Sequence, residues 1–413
     1  MHKIEKLLHT LAPKGVEFRK LGEVLEYDQP NQYCVKSKEF DKSYPTPVLT
    51  AGKTFILGYT NEKDNIYQAS KNSPVIIFDD FTTATQWVDF PFKVKSSAMK
   101  ILLPKDPTIN IRFIFFYMQT IPYNISGEHT RQWISRYSLI TIPIPPLEVQ
   151  QEIVKILDAF TELNTELNTE LNARKKQYQY YQNMLLDFNG INQSHKDAKI
   201  KTYPKRLKTL LQTLAPKGVE FKKIGELFKR NKGINITAAQ MKELHSEIGK
   251  VRIFAGGATK ADINYKDISK KDIINCESVI IKSRGNIGFE YYNQPFSHKN
   301  EIWSYSSKTN QMLVKFLYYY LSNNQDYFQK LAQSSSVKLP QLSVSDTDEY
   351  EVPVPPLEIQ QEIVKILDQF LALTTDLLAG IPAEINARKK QYEYYREKLL
   401  TFKPLTPHKE VKK

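Results

Sequence analysis

The hydrophobic pattern changes in kind, and then does so again. Between 27 and 142 short apolar runs predominate, such as Pro47 to Thr50, Phe55 to Tyr59 and Pro74 to Phe78, and these predict strands. From Pro146 onward the spacing is helical: Ile153, Ile156, Phe160, Leu163 and Leu167 fall at three- and four-residue steps with charges between them, the seam of a coiled coil. Between 230 and 352 strand-type runs return, at Val251 to Phe254 and Ser278 to Lys282. Ile363, Ile366, Phe370 and Leu373 then repeat the helical seam. Each strand-rich stretch also predicts a helix behind an asparagine cap, at Asn110 before 111–119 and at Asn310 before 311–321. The fold class is α+β, without βαβ alternation.

The recurrence is literal at the flanks. The octapeptide from Leu11 to Phe18 returns unchanged as Leu214 to Phe221, and the segment from Asn172 to Tyr178 returns as Asn386 to Tyr392. Pro145 to Phe160 returns as Pro355 to Phe370, with only Val149/Ile359 and Ala159/Gln369 differing. The two centres between these flanks cannot be aligned beyond their order of elements. Drift after duplication would have blurred frame and centres alike, so a retained frame implies the same partner met twice, and divergent centres imply two different targets.

Each frame helix runs on to about Leu186 or Leu400, some 40 residues and roughly 60 Å if fully helical. Such a helix cannot bury its stripe alone, so the two are expected to pair antiparallel and hold two globular domains in pseudo-two-fold symmetry. The boundaries follow: 1–146 first domain with its frame repeat, 147–188 first long helix, 189–206 linker, 207–356 second domain, 357–402 second long helix, 403–413 basic tail. The arms are unequal. Thr-Glu-Leu-Asn occurs three times from Thr161 to Asn172, whereas the second arm carries Gly380-Ile-Pro382, a break or kink. Four added helical residues advance a helix by roughly 6 Å and turn it about 40° past a full turn. The repeat could therefore serve as a ruler.

On these residues the chain resembles the specificity subunits of type I restriction-modification enzymes, over nearly its whole length. The resemblance rests on PPLExQQxIVxILDxF leading into a long helix with ARKKQY, twice, each behind a divergent domain. The segments from Thr50 to Thr60 and from Val75 to Thr83 look closest to the type IC branch. The resemblance implies that each domain is a target-recognition domain reading one half of a bipartite double-stranded DNA site. It implies that the helices set the distance between halves and bind two methyltransferase subunits, which restriction subunits join. S-adenosylmethionine would belong to the methyltransferase subunits, and ATP and Mg to the restriction subunits, with no cofactor in this chain.

Composition and missing signatures agree with recognition without catalysis. The 58 Lys and Arg against 45 Asp and Glu give a net +13, which suits a polyanionic partner, although 196–208 and 403–413 carry part of that surplus as linker and tail. Cys34 and Cys276 form no CxxC pair, the His are scattered, and Ala51 to Thr54 lacks the first glycine and following helix of a phosphate loop. No metal site is expected. Pro-Pro pairs sit in Ile144 to Leu147 and Val354 to Leu357, not in the [DN]PP[YF] tetrapeptide of an adenine methyltransferase. Two distant cysteines without a disulfide framework fit a reducing cytoplasm, and no apolar run approaches the ~18 residues of a membrane span. A fused enzyme acting alone and a scaffold linking two protein complexes are the alternatives.

Polar and basic loop clusters are the candidate DNA contacts, because Arg and Lys bond guanine edges, Gln bonds adenine, and Ser and Thr contact phosphate. In the first centre these are Lys53, Thr54, Lys95, Ser96, Ser97, Lys100, Arg131, Gln132 and Trp133. In the second they are Thr259, Lys260, Ser283, Arg284, Asn286, Lys299, Asn300, Ser335 and Lys338. The copied helix segments supply candidate partner contacts: Asn172, Arg174, Lys175, Tyr178 and Tyr181, with Asn386, Arg388, Lys389, Tyr392 and Tyr395.

Overall fold

The structure is a computed structural model that describes residues 2–50, 54–122, 131–188, 203–334, 339–375 and 380–404. The chain divides into two compact units, 1–168 with 385–413, and 169–384. Each unit therefore holds one domain, the first part of its own long helix and the last part of the other.

The first unit contains strands β1 (Glu17–Lys20), β2 (Leu25–Asp28), β3 (Thr46–Leu49), β4 (Ile56–Thr60), β5 (Val75–Asp79), β6 (Thr85–Val88), β7 (Lys93–Val94), β8 (Met99–Pro104) and β9 (Thr141–Ile144). They form a four-stranded sheet in the order β2-β8-β5-β6, a three-stranded sheet β4-β3-β7 and the antiparallel pair β1-β9. The second unit contains β10 (Phe221–Lys223), β11 (Phe228–Asn231), β12 (Val251–Phe254), β13 (Lys260–Ile263), β14 (Ser278–Lys282), β15 (Gly288–Tyr292), β16 (Phe296–His298), β17 (Trp303–Ser307) and β18 (Glu351–Pro353). Its sheets, β11-β17-β14-β15, β13-β12-β16 and β10-β18, repeat the same topology. The central strands β5 and β14 are buried along their whole length, as their apolar runs Val75 to Phe78 and Val279 to Ile281 require.

The frame makes the same contacts in both copies. In the first unit Gln150, fully buried, donates to Thr108 O and Pro145 O and accepts from Asn110 N at 3.1, 2.7 and 2.8 Å. In the second, Gln360 donates to Gln311 O and Pro355 O and accepts from Leu313 N at 2.8, 2.6 and 2.8 Å. Asp158 pairs with Arg112 and Asp368 with Lys315, each at 2.7 Å. Asn110 caps helix Ile111–Met118 through its side chain. Asn310 does not cap its helix, which starts later, at Val314, behind Leu313. There the Gln360 side chain accepts from Leu313 N, as the Gln150 side chain does from Asn110 N, and no side chain caps the helix.

The first long helix is continuous from Leu147 to Leu186 through the Thr-Glu-Leu-Asn repeats. The second is two helices, Leu357–Thr375 and Ile381–Leu400. Gly380 O accepts from Ala383 N and Glu384 N, and Pro382 lies in the first turn of the new helix, where its missing N–H costs nothing. The deepest stripe is Val149, Ile153 and Leu157, mirrored by Ile359, Ile363 and Leu367, with Ile156 and Phe160 half-buried beside it. Leu373 is 38% exposed and Thr374 is buried instead, so the expected seam slips past Phe370.

Within the first unit Phe160 stacks on Tyr395 at 5.5 Å and meets Tyr392, while Phe402 reaches Phe113 and Lys403 O accepts from Val16 N. There the returning helix runs antiparallel to the outgoing one. The second unit repeats the contact with Phe370 against Tyr181 at 5.0 Å and Tyr178 at 6.5 Å.

Candidate nucleic-acid interface

In each unit the chain gathers loops from distant sequence at one end of the two larger sheets. In the first, the β3–β4 hairpin closes with Thr50 N donating to Phe55 O. Lys95 N donates to Leu49 O at 2.7 Å, Asp80 N to Ala98 O, and Gln132 N to Asp80 O at 2.8 Å. Thr50, Thr54, Phe55 and the stretches 79–84, 95–98 and 131–133 thus come together at one end. In the second, Ala255 N donates to Thr259 O, Lys299 N to Phe254 O, Ser283 Oγ to Glu301 O, and Leu342 N to Ser283 O. The bond from Leu342 to Ser283 is the counterpart of that from Gln132 to Asp80. The described sequence candidates of each centre are brought together, although they are spread over 54–133 in the first and 259–300 in the second.

Their side chains sort into two groups. Thr54, Lys95, Ser96 and Arg131 are exposed and Ser97 half-buried; Thr259, Lys260, Arg284, Asn286 and Asn300 are exposed as well. Lys299 is half-buried and paired with Glu301 at 2.9 Å. Lys53, Ser335 and Lys338 lie outside the described residues.

Four candidates are corrected. Lys100 is 2% exposed, because it belongs to β8, which is buried on both faces from Met99 to Leu102. Its ammonium lies 3.6 Å from Asp80 and 4.6 Å over the Tyr27 ring, and it donates to Gln29 Oε1. Burial lowers the Lys100 pKa, and Asp80 opposes that shift. Gln132 and Trp133 are buried too: Trp133 N donates to Asp80 Oδ1, and its indole packs on Phe78 and Tyr137. Ser283 is fully buried, its hydroxyl used on Glu301 O. These four hold the surface together from beneath.

Sequence reasoning passed over that supporting layer. Asp80, Gln29 and Lys282 are its other members; Lys282 donates to Ala255 O, lies 3.5 Å from Glu290, and has its pKa lowered by burial. A charged residue ending an otherwise apolar strand, as in Val75 to Asp80 or Ser278 to Lys282, was the available signal.

The helix candidates divide similarly. Tyr178, Tyr181, Tyr392 and Tyr395 are half-buried and pack on Phe370 and Phe160 of their own chain. Arg174 and Arg388 are half-buried and each donates to a glutamine one turn on, Gln177 or Gln391, at 3.1 Å. Asn172, Lys175, Asn386 and Lys389 are exposed, together with Tyr180 at 61% and Tyr394 at 59%. Two equivalent open patches thus remain on the frame.

Two domains with one topology, one frame chemistry and differing end loops define a duplicated recognition architecture. The family model described as "Type I restriction modification DNA specificity domain" matches residues 13–177 and again 216–387. The chain is 38% identical over 431 aligned positions to the type I restriction enzyme EcoR124I/EcoR124II specificity subunit of Escherichia coli, covering 98% of each chain. Its fold matches a crystal structure of the type I restriction-modification S subunit from M. genitalium with a TM-score of 0.62 at 17% identity, over 94% of this chain and 96% of that one. The chain belongs to the family of type I restriction-modification specificity subunits. Among the described residues no helix is long and apolar enough to cross a membrane.

Proposed function

We propose that this chain reads a bipartite double-stranded DNA site, one half with the end loops of each unit, and docks two methyltransferase subunits, through which restriction subunits join. The exposed frame patches around Lys175 and Tyr180, and around Lys389 and Tyr394, are the docking candidates. On this reading the chain has no catalytic site of its own and acts in the cytoplasm. S-adenosylmethionine is held by the methyltransferase subunits, and ATP and Mg by the restriction subunits.

The observation that carries the reading is the contrast within the duplication. Buried frame contacts such as those of Gln150 and Gln360 are the same atom for atom, whereas the exposed loop residues differ between units. Identical chemistry suits one partner met twice, and different loops suit two base sequences. Mapping modified adenines in a host that carries the complete system tests it. The expected result is a split motif whose halves change independently when one unit's loops are exchanged. Methylation by the purified chain alone with S-adenosylmethionine would overturn the non-catalytic part.

A further inference from the structure

We propose that the two units hold the loop after their central strand with different dedicated clamps, Asp79 in the first and Gln329 with Gln325 in the second, and that each clamp sets selectivity for one half-site. The proposal rests on the DNA-reading role argued above and adds the residues that give it precision.

The loop at 283–287 follows β14 and carries the exposed Arg284 and Asn286 on either side of Gly285. Gly285 has φ +75°, a conformation that suits glycine, and a Cβ added there would meet no atom within 4 Å. The backbone here faces open space, where a nucleic acid can approach closely. Such a loop needs restraint if it is to place a guanidinium and an amide accurately.

Helix Gln325–Ser334 provides that restraint. Gln329 Oε1 accepts from Ile287 N at 2.8 Å, and its Nε2 donates to Gly285 O at 3.3 Å. Gln325 Nε2 donates to Ile287 O at 2.8 Å, and Gly285 N donates to Pro340 O at 2.8 Å. Both main-chain groups of residues 285 and 287 are therefore engaged. The helix itself is seated by buried Phe328, whose ring meets Phe289 at 5.2 Å and Tyr350 at 4.7 Å.

The first unit solves the same problem within the loop. Asp79 ends β5; its Oδ1 accepts from Phe81 N at 2.9 Å and Thr82 N at 3.2 Å, and its Oδ2 from the Thr82 hydroxyl at 2.5 Å. Thr83 N donates to Asp79 O, and Thr83 sits at φ +60°, a strained conformation for a β-branched residue that this cap holds in place. One carboxylate does here what two glutamines do in the second unit. Neither Gln329 nor Asp79 has to touch DNA, so both are positioning residues. Base readout depends on donor geometry held to about half an ångström, and a good bidentate contact discriminates only while that geometry persists.

The test uses the full chain assembled with its methyltransferase subunits, and competition binding to duplexes that carry single base-pair changes in either half-site. Arg284→Ala first identifies the second unit's half-site. Gln329→Ala should then cut discrimination at that half roughly tenfold and leave the other half unchanged. Gln329→Glu, which keeps the acceptor for Ile287 N, should restore part of it. Asp79→Ala should produce the mirror pattern at the first half-site. Should Gln329→Ala fail to fold, judged by thermal unfolding, Gln325→Ala replaces it with the same expectation. Intact profiles for the Gln329 and Gln325 variants alongside a damaged profile for Arg284→Ala overturn the clamp proposal alone. Equal loss at both halves also overturns it, since that reports general destabilisation. If Arg284→Ala and Asn286→Ala are themselves without effect, the loop does not read DNA, and the reading and the proposal fall together.

Discussion

Replacing Gln360 by leucine should destabilise the second unit by about 2–5 kcal/mol. The side chain is fully buried; two of its bonds join the start of helix Leu357–Thr375 to the segment that leads into helix Val314–Asn323, and the third holds Pro355 O just ahead of its own helix. Leucine fills much of the volume but satisfies none of Gln311 O, Leu313 N and Pro355 O. A buried main-chain group left without a partner costs about 1–3 kcal/mol. Pro355 is buried and bears the full penalty, whereas Gln311 is exposed and Leu313 half-buried, so water can reach those groups and the sum falls below three full penalties. The neighbouring Gln361 is exposed, and Gln361→Ala should stay within about 0.5 kcal/mol of the parent. Urea unfolding of the full chain, followed by the fluorescence of Trp303 in the second unit, measures both. Gln150→Leu should reproduce the loss in the first unit, where Trp87 and Trp133 report. A loss under about 1 kcal/mol for Gln360→Leu would refute the reasoning, because it would mean that the copied glutamine is not what ties frame to domain.

Other outcomes follow from the same contacts. Phe370→Ala removes the ring that Tyr181 and Tyr178 pack on and should cost about 2 kcal/mol, less than a fully buried aromatic because Phe370 is half-buried; thermal unfolding checks it. Deleting Thr165 to Asn168 should change the gap between half-sites in the modified-adenine map, and an unchanged gap sinks the ruler idea. Burial pushes the hydroxyls of Tyr178, Tyr203 and Tyr350 up to about 12. Their folded pKa lies above the unfolded value, so their contribution to stability is complete below about pH 10 and lost as pH rises toward 12. Phenolate absorbance should show these three titrating late, and alkaline unfolding should be shifted upward when Tyr178 is replaced by phenylalanine.

What the sequence made legible were the features governed by local periodicity or literal repetition. Val251 to Phe254 and Ser278 to Lys282 are strands over those residues, and the long helix starts at Leu147 directly after the Pro-Pro pair. The Gly380-Ile-Pro382 break separates two helices. What escaped was set by distant partners. Asn310 looked like a cap, but the helix starts at Val314 behind Leu313, whose N–H is held by Gln360, 47 positions away. Lys100 and Trp133 looked like loop residues for DNA, but the buried Asp80 carboxylate draws in both, the ammonium of one and the main-chain N–H of the other. The packing of the paired tyrosines escaped because their spacing is the same on a free helix and on one packed against Phe160 or Phe370. Periodicity shows that a side chain shares a face with others; it does not show which chain covers that face.

The difference between frame and loop chemistry bears on how such a protein changes its target. The partners of Gln150 and Gln360 are main-chain groups, and those of Asp158 and Asp368, Arg112 and Lys315, lie outside the end loops, so exchanging the exposed loop residues leaves all four with their partners. The clamps beneath the loops are not shared: a self-capping aspartate serves one unit and a helix-borne pair of glutamines the other. An exchange of Arg284 or Asn286 alone would keep the second clamp and alter only what is presented. An exchange that removed helix Gln325–Ser334 would free the loop and lose accuracy before it gained a new target. Loop and clamp therefore have to move together, which makes the whole stretch between the frame strands, β10 to β18, the natural unit of exchange.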